Sequence, residues 1–342
     1  MQSTLRNKKS NISVLRIMAT LAVVFLHTSS GVLDRPDLYI MSTRQRDFLF
    51  LCKGYMNWAV PVFLMISGAL LLKSEKQISF HECISKYVKR IILALFCFGI
   101  PFSLMELFLN TRTFSAKMLY EAVICVITGN SWGHLWYLYM LIGIYCLLPI
   151  FKHFIDTSSR REVGCILVTL FVFQFIIPFI QTITGLTIAF NIPITPNTVF
   201  YLLLGKYLSD GLPRILIKKR LTVLFLTISF ALAAYTYLLT HDERFWVYFT
   251  PIFAILIFAL FQDVNVPEHV YPIIWKIDRL CFGVYLIHTL FINFSYKALK
   301  ITPISFNAYP LMVVVFFLVF AGCSFFASAI MSMIPFLKKY IL

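Results

Sequence analysis

The chain has 342 residues, of which 60% are hydrophobic, 17% aromatic and only 13% charged. An ordinary soluble domain carries about a quarter charged residues, so this composition excludes one and points to an all-α protein crossing the membrane many times. The formal charge of +15 has no basic domain outside the apolar runs to concentrate it. That argues against nucleic acid as a partner and for basic loops at one membrane face.

The first apolar stretch, 11–30, reads NISVLRIMATLAVVFLHTSS. It is long enough for a bilayer core of roughly 30 Å, which takes about 20 apolar residues in a helix. Yet it holds Arg16 and His27, and ionisable groups at such depth are unfavourable and usually functional. In a helix the two lie about 16 Å apart and point the same way, with Ser13 and Thr20 in the same arc. The spacing predicts a polar stripe leading from one membrane face towards mid-bilayer, which reads as a reaction channel. No small-residue cleavage site accompanies the run, so a retained helix is expected and not a signal peptide.

Hydropathy predicts ten spans, at 12–31, 55–73, 88–109, 134–151, 163–182, 197–209, 221–240, 246–262, 279–296 and 309–334. They form one integral-membrane domain over 10–335, with no separate soluble domain expected. An even number of spans puts both termini on one side. About two thirds of the 30 basic residues then fall on that side, so both termini are expected in the cytoplasm. The opposite side carries the longer connections. One is 33–54. Another, 114–127, has apolar residues at helical spacing broken by Lys117 and Glu121, which predicts a helix lying in the interface. Trp132, Trp136 and Tyr137 follow, where an aromatic belt belongs. The eight cysteines show no metal-binding spacing and read as small buried side chains. No internal repeat is visible.

Several residues inside or beside the spans carry chemistry. In the second span, NWAVPVFLMISGALLL, Pro61 loosens the early helix. Ser67-Gly68 there is either a close helix contact or a polar step in a channel. Lys86, Lys89 and Arg90, at the start of the third span, are either topogenic charges or a seat for the phosphates of an anionic cofactor. His134 and Trp136 open the fourth span, as an interfacial anchor or as part of a channel. Tyr285 and His288 share one face of the ninth, and His288 reaches a depth comparable to that of His27. Glu106, near the outer end of the third span, either orients a histidine or snorkels to the interface.

Arg16 and His27, followed in order by VPVFLMISGALLL, HLWYLYMLIGIYCLLP and FGVYLIH, resemble the acyltransferase-3 family. These are bacterial integral-membrane acyltransferases that mostly O-acetylate cell-envelope glycans. The resemblance covers essentially the whole chain and implies ten helices in the cytoplasmic (inner) membrane. It implies acetyl-CoA as the donor, without a metal or prosthetic group. As acceptor it implies a sugar hydroxyl of a surface polysaccharide, such as an O-antigen, or of its lipid-linked precursor. It further implies that Arg16 and His27 are essential. Where relatives carry an arginine pair, Lys86 and Lys89 stand here with Arg90 beside them. Lysine keeps the charge but lacks the planar fork.

In that frame His27 is expected as the general base or as an acyl relay, and Arg16 as the residue that holds the donor. Lys86, Lys89, Arg90 and Ser67 are expected to bind the donor. His288, Tyr285, His134, Trp136 and Glu106 are expected along the channel or at the acceptor. A different class, a secondary transporter or flippase of glycan precursors, would show internal repeats, broken helices and mid-membrane carboxylates. None of these is evident in the sequence.

Overall fold

The computed structural model describes residues 2–35, 38–73, 75, 77–189, 197–262, 264 and 266–342, with side chains from residue 10 onward. Among them the secondary structure is helical, with no strand. α1 spans Gln2–Leu33, apolar from Ser10 onward. α2 (Thr43–Met56) runs into α3 (Ala59–Leu71), and the two together are long enough for one crossing. α4 (Phe80–Thr111) leads to the shorter α5 (Ala116–Ile127). α6 (Gly133–Thr157), α7 (Arg160–Thr184), α8 (Asn197–Ser209), α9 (Lys219–Thr240) and α10 (Arg244–Gln262) follow. α11 (Tyr271–Asp278), α12 (Cys281–Asn293), α13 (Tyr309–Met331) and α14 (Pro335–Tyr340) complete the described chain.

Among the described residues, eight helices are long and apolar enough to cross a membrane. A ninth crossing forms if the bent pair Glu268–Asp278 and Cys281–Ser305, inclined at 51°, is taken as one. The tenth expected segment, 197–209, is α8. Its 13 residues rise only about 20 Å, short of a bilayer core. The long outer connection expected at 33–54 is partly helix, because Ser42 starts α2 with a capping box. Its Oγ accepts from the Gln45 N–H while Gln45 Oε1 accepts from the Ser42 N–H. Within the stretch 114–127, Ala116–Ile127 is helical and too short to span. It buries Met118, Ala122 and Val126 and exposes Leu119, Tyr120 and Ile127.

Local chemistry sets the helix ends and crossings. Pro61 falls in the first turn of α3, where its missing N–H costs no helical bond, so it starts that helix and does not weaken it. Within α1, Thr20 and Thr28 donate to the carbonyls one turn back, at 2.9 and 2.8 Å, which satisfies hydroxyls that face no water. α3 and α8 cross with their backbones touching. A Cβ at Gly68 would stand 1.8 Å from the Leu202 carbonyl oxygen, and one at Gly205 2.0 Å from that of Met65. Only glycine permits that approach. The contact seats α8 beside α3 and leaves the preceding residue, Ser67, facing the interior.

Candidate active site

α1, α3, α4, α6 and α12, with the end of α11 and the first turns of α8 and α10, border a cavity of about 790 Å³. Of the residues singled out from the sequence, Arg16, His27, Ser67, Arg90, His134, Trp136 and Tyr285 border it. Lys86, Lys89, His288 and Glu106 do not. Chain direction orders the lining. Arg16, Tyr87, Arg90, Tyr145, Asp278 and Arg279 belong to one end, and His27, Asn57, His134 and Trp136 to the other.

The arginine end is built on the break between α11 and α12. Asp278 closes α11 and meets Arg16 from α1. Arg16 Nη1 donates to Asp278 Oδ1 at 2.9 Å and to Oδ2 at 2.8 Å. Ser13 Oγ donates to the same Oδ2 at 2.8 Å. The Arg16 side chain is 30% exposed and that of Asp278 13%, so the pair is only partly hydrated and its charge-assisted bonds count for more than those of a surface pair. The remaining guanidinium donors of Arg16 are free to serve the cavity. Arg90 donates from Nε to Ile341 O and from Nη2 to Leu342 O, both at 2.6 Å. Its guanidinium carbon lies 5.3 Å from the centre of the Phe282 ring. Lys86 and Lys89 are exposed on neighbouring faces, and Lys86 lies 3.7 Å from Glu82.

Sequence reasoning passed over Asp278 and Arg279. A signal for the first was present, since an arginine within an apolar helix needs a counter-ion and Asp278 adjoins an apolar run. Tyr137 and Tyr145, two turns apart on α6, also border the cavity. From the sequence, Tyr137 reads only as part of an interfacial belt.

The histidine end brings together three rings from three helices. The His27 centroid lies 5.1 Å from that of His288 and 6.4 Å from that of His134, and the latter two are 5.3 Å apart. His134 is fixed on both nitrogens. Nε2 lies 3.3 Å from Leu286 O, and Nδ1 lies 3.1 Å from Thr289 Oγ1. Its own carbonyl accepts from the Tyr285 hydroxyl at 2.7 Å. His288 is completely buried. Despite the clustering, no group of three or more His, Cys, Asp or Glu among the described residues is placed to hold a metal ion.

Ser67 Oγ donates to Phe63 O at 2.9 Å, so it offers the cavity lone pairs and not a proton. Glu106 stands outside the cavity, ion-paired with Lys297. It also accepts from Trp132 Nε1 at 3.2 Å. Trp132 stacks on Phe102 at 4.2 Å, and both rings pack near His134. Glu106 therefore reaches the histidine cluster only through intervening rings.

The arrangement suits transfer chemistry: cations at one end for an anionic group, and imidazoles at the other to move a proton. No curated protein and no solved structure matches the chain. A family model does, that of the acyltransferase domain of the acyltransferase-3 family, over residues 9–332. With nearly the whole length matched, the chain belongs to the acyltransferase-3 family and is a multi-pass membrane acyltransferase.

Proposed function

We propose that the protein is an O-acetyltransferase of the bacterial cytoplasmic membrane. In this reading it moves the acetyl group of acetyl-CoA to a sugar hydroxyl of a cell-surface polysaccharide or of its lipid-linked precursor. The observation that carries the reading is one cavity bordered by Arg16, Arg90 and Arg279 at one end and by His27 at the other. The loop charges support a cytoplasmic arginine end, where acetyl-CoA is made, and the bonds of Arg90 to Ile341 and Leu342 bring the C-terminal residues to that same end.

In this reading Arg16, Arg90 and Arg279 hold the donor through its phosphates and polar arm. Lys86 and Lys89, exposed nearby, raise its local concentration by long-range attraction. The pantetheine arm lies along Tyr145 and Tyr137, past Ser67, and carries the thioester about 16 Å along α1 to His27. The acceptor hydroxyl enters beside Trp136 and Asn57.

A sugar hydroxyl is a weak nucleophile near neutral pH, so a positioned base is needed, and imidazole has a suitable pKa. His27 takes the hydroxyl proton as the oxygen attacks the thioester carbonyl carbon. The new C–O bond forms and the C–S bond breaks. Coenzyme A leaves with the bonding pair as thiolate and takes the proton from His27. In the relay form the acetyl group rests first on His27 and passes from there to the hydroxyl.

The test gives labelled acetyl-CoA to membranes that contain the protein, with His27→Ala as control. Envelope glycans should gain a base-labile acetyl group, located by NMR, and should gain none with the folded His27→Ala protein. Unlabelled glycans with the intact protein, or full labelling with His27→Ala, would overturn the reading.

A further inference from the structure

Of the three clustered histidines, His288 does not border the cavity, yet it is the one left with an unmet polar atom. Its Nδ1 lies 2.8 Å from Tyr285 O and 3.2 Å from Val284 O, both carbonyls of its own helix. A carbonyl only accepts, so Nδ1 carries the proton and Nε2 keeps the lone pair. That Nε2 is buried and has no hydrogen-bond partner. Bonding of Nδ1 to the backbone of α12 turns Nε2 away from that backbone, and the neighbouring rings are those of His27 and His134.

His134 is already accounted for, with Leu286 O on one nitrogen and Thr289 Oγ1 on the other. His27 is not. Among the described residues its one hydrogen-bonding neighbour is Ser30 Oγ, 3.5 Å from Nδ1 and at the outer limit for such a bond. A neutral imidazole acting as base must aim its lone pair at the substrate, which requires its single N–H to be held by a second group.

We infer that His288 is the positioning residue for His27. Its Nε2 accepts the N–H of His27 and so presents the lone pair of the other His27 nitrogen to the cavity. This rests on the reading of His27 as general base. The ring centres of this pair stand 5.1 Å apart, close enough for an N–H···N bond of ordinary length once the rings are aligned, while in the free protein Nε2 has no partner within bonding distance. Such bonds are often loose in a free enzyme and tighten when substrate binds. During transfer the acceptor hydroxyl loses its proton to the cavity-facing nitrogen of His27. The other N–H stays bonded to His288 and stabilises the imidazolium, and the added proton then leaves on the coenzyme A thiolate. His288 touches neither substrate and keeps its own proton throughout.

The experiment uses the full chain in lipid nanodiscs, with histidine labelled by 15N, and compares wild type with His288→Gln, His288→Phe, His288→Asn and Ser30→Ala. Glutamine places an amide oxygen near the position of Nε2. Asparagine reaches only the position of Nδ1, and phenylalanine keeps the bulk with no acceptor. The 15N spectrum should show His27 as one neutral tautomer in wild type, His288→Gln and Ser30→Ala, and as a mixture in His288→Phe and His288→Asn. In acetyl transfer the latter two should lose about 100-fold in kcat, with the KM for acetyl-CoA within about twofold. His288→Gln should recover at least a tenth of the wild-type rate. Should the phenylalanine variant not fold, the asparagine variant decides.

The inference falls if either non-accepting variant keeps a single His27 tautomer with kcat near wild type. It falls equally if Ser30→Ala mixes the tautomers, or if His288→Gln is as impaired as His288→Asn. The tautomer readout needs no transfer. Full transfer by His27→Ala would therefore sink the base assignment without being confused with failure of the His288 contact.

Discussion

The two ends of the cavity are built on opposite principles. At the arginine end, positive charge is supplied several times over, by Arg16, Arg90 and Arg279, with Lys86 and Lys89 exposed nearby. Their partners there are a carboxylate on one and main-chain oxygens on another. At the histidine end the three rings pack against one another, and His134 and His288 are tied to named carbonyls. Charge acts over distance and tolerates substitution, whereas proton transfer requires hydrogen-bond contact. The first end suits recognition of an anion and the second suits chemistry. Changes at the second should therefore be the more damaging.

The largest expected effect is at His27. Replacement by alanine should lower kcat by at least about 100-fold, measured as acetyl transfer by purified protein. Next comes the scaffold that joins the two ends. Gly68→Ala or Gly205→Ala drives a methyl group into the facing backbone. Either should destabilise the fold by about 1–3 kcal/mol, seen as a lower thermal midpoint in detergent. A smaller effect is expected from Asp278→Asn, which removes the counter-ion of Arg16. Loss of that anchor should raise the Kd for acetyl-CoA about tenfold, or about 1.4 kcal/mol, with little change in kcat. The smallest belongs to Lys86→Ala and Lys89→Ala. Both side chains are exposed, so each should change donor affinity less than about threefold, and the difference should vanish at high salt. A large effect at Lys89 and none at Asp278 would invert the account of the arginine end.

What the sequence discloses is what depends on local geometry. Arg16 and His27 share one side of α1 because helical rise and rotation fix their relation, and both border the cavity. The Arg16 partner is not readable in that way. Asp278 lies 262 positions away and arrives only through the packing of α11 on α1. At Ser67-Gly68 the sequence left a choice between close packing and a channel step, and both hold, one for each residue. Gly68 touches Leu202 while Ser67, one position round the helix, meets the cavity.

The basic cluster shows how an irregular turn defeats a pattern. α4 opens with a π-helical turn over Cys83–Val88, which adds a residue and rotates the faces that follow. Tyr87, Arg90 and Ile91 then border the cavity, and Lys86 and Lys89 fall outside it. Likewise, the spacing of His288 and Tyr285 announces a shared helix face. Their different positions, one behind the cavity wall and one on it, follow from how α12 sits against α1 and α6.

The division of labour between the two ends is tested most directly by measuring acetyl-CoA affinity and acetyl turnover on the same preparations of His27→Ala and Asp278→Asn. The account predicts a double separation. His27→Ala should bind acetyl-CoA as tightly as wild type and transfer nothing, while Asp278→Asn should bind about tenfold more weakly and turn over at close to the wild-type rate once saturated. Wild-type turnover by His27→Ala, or equal losses of affinity and turnover in both variants, would contradict it.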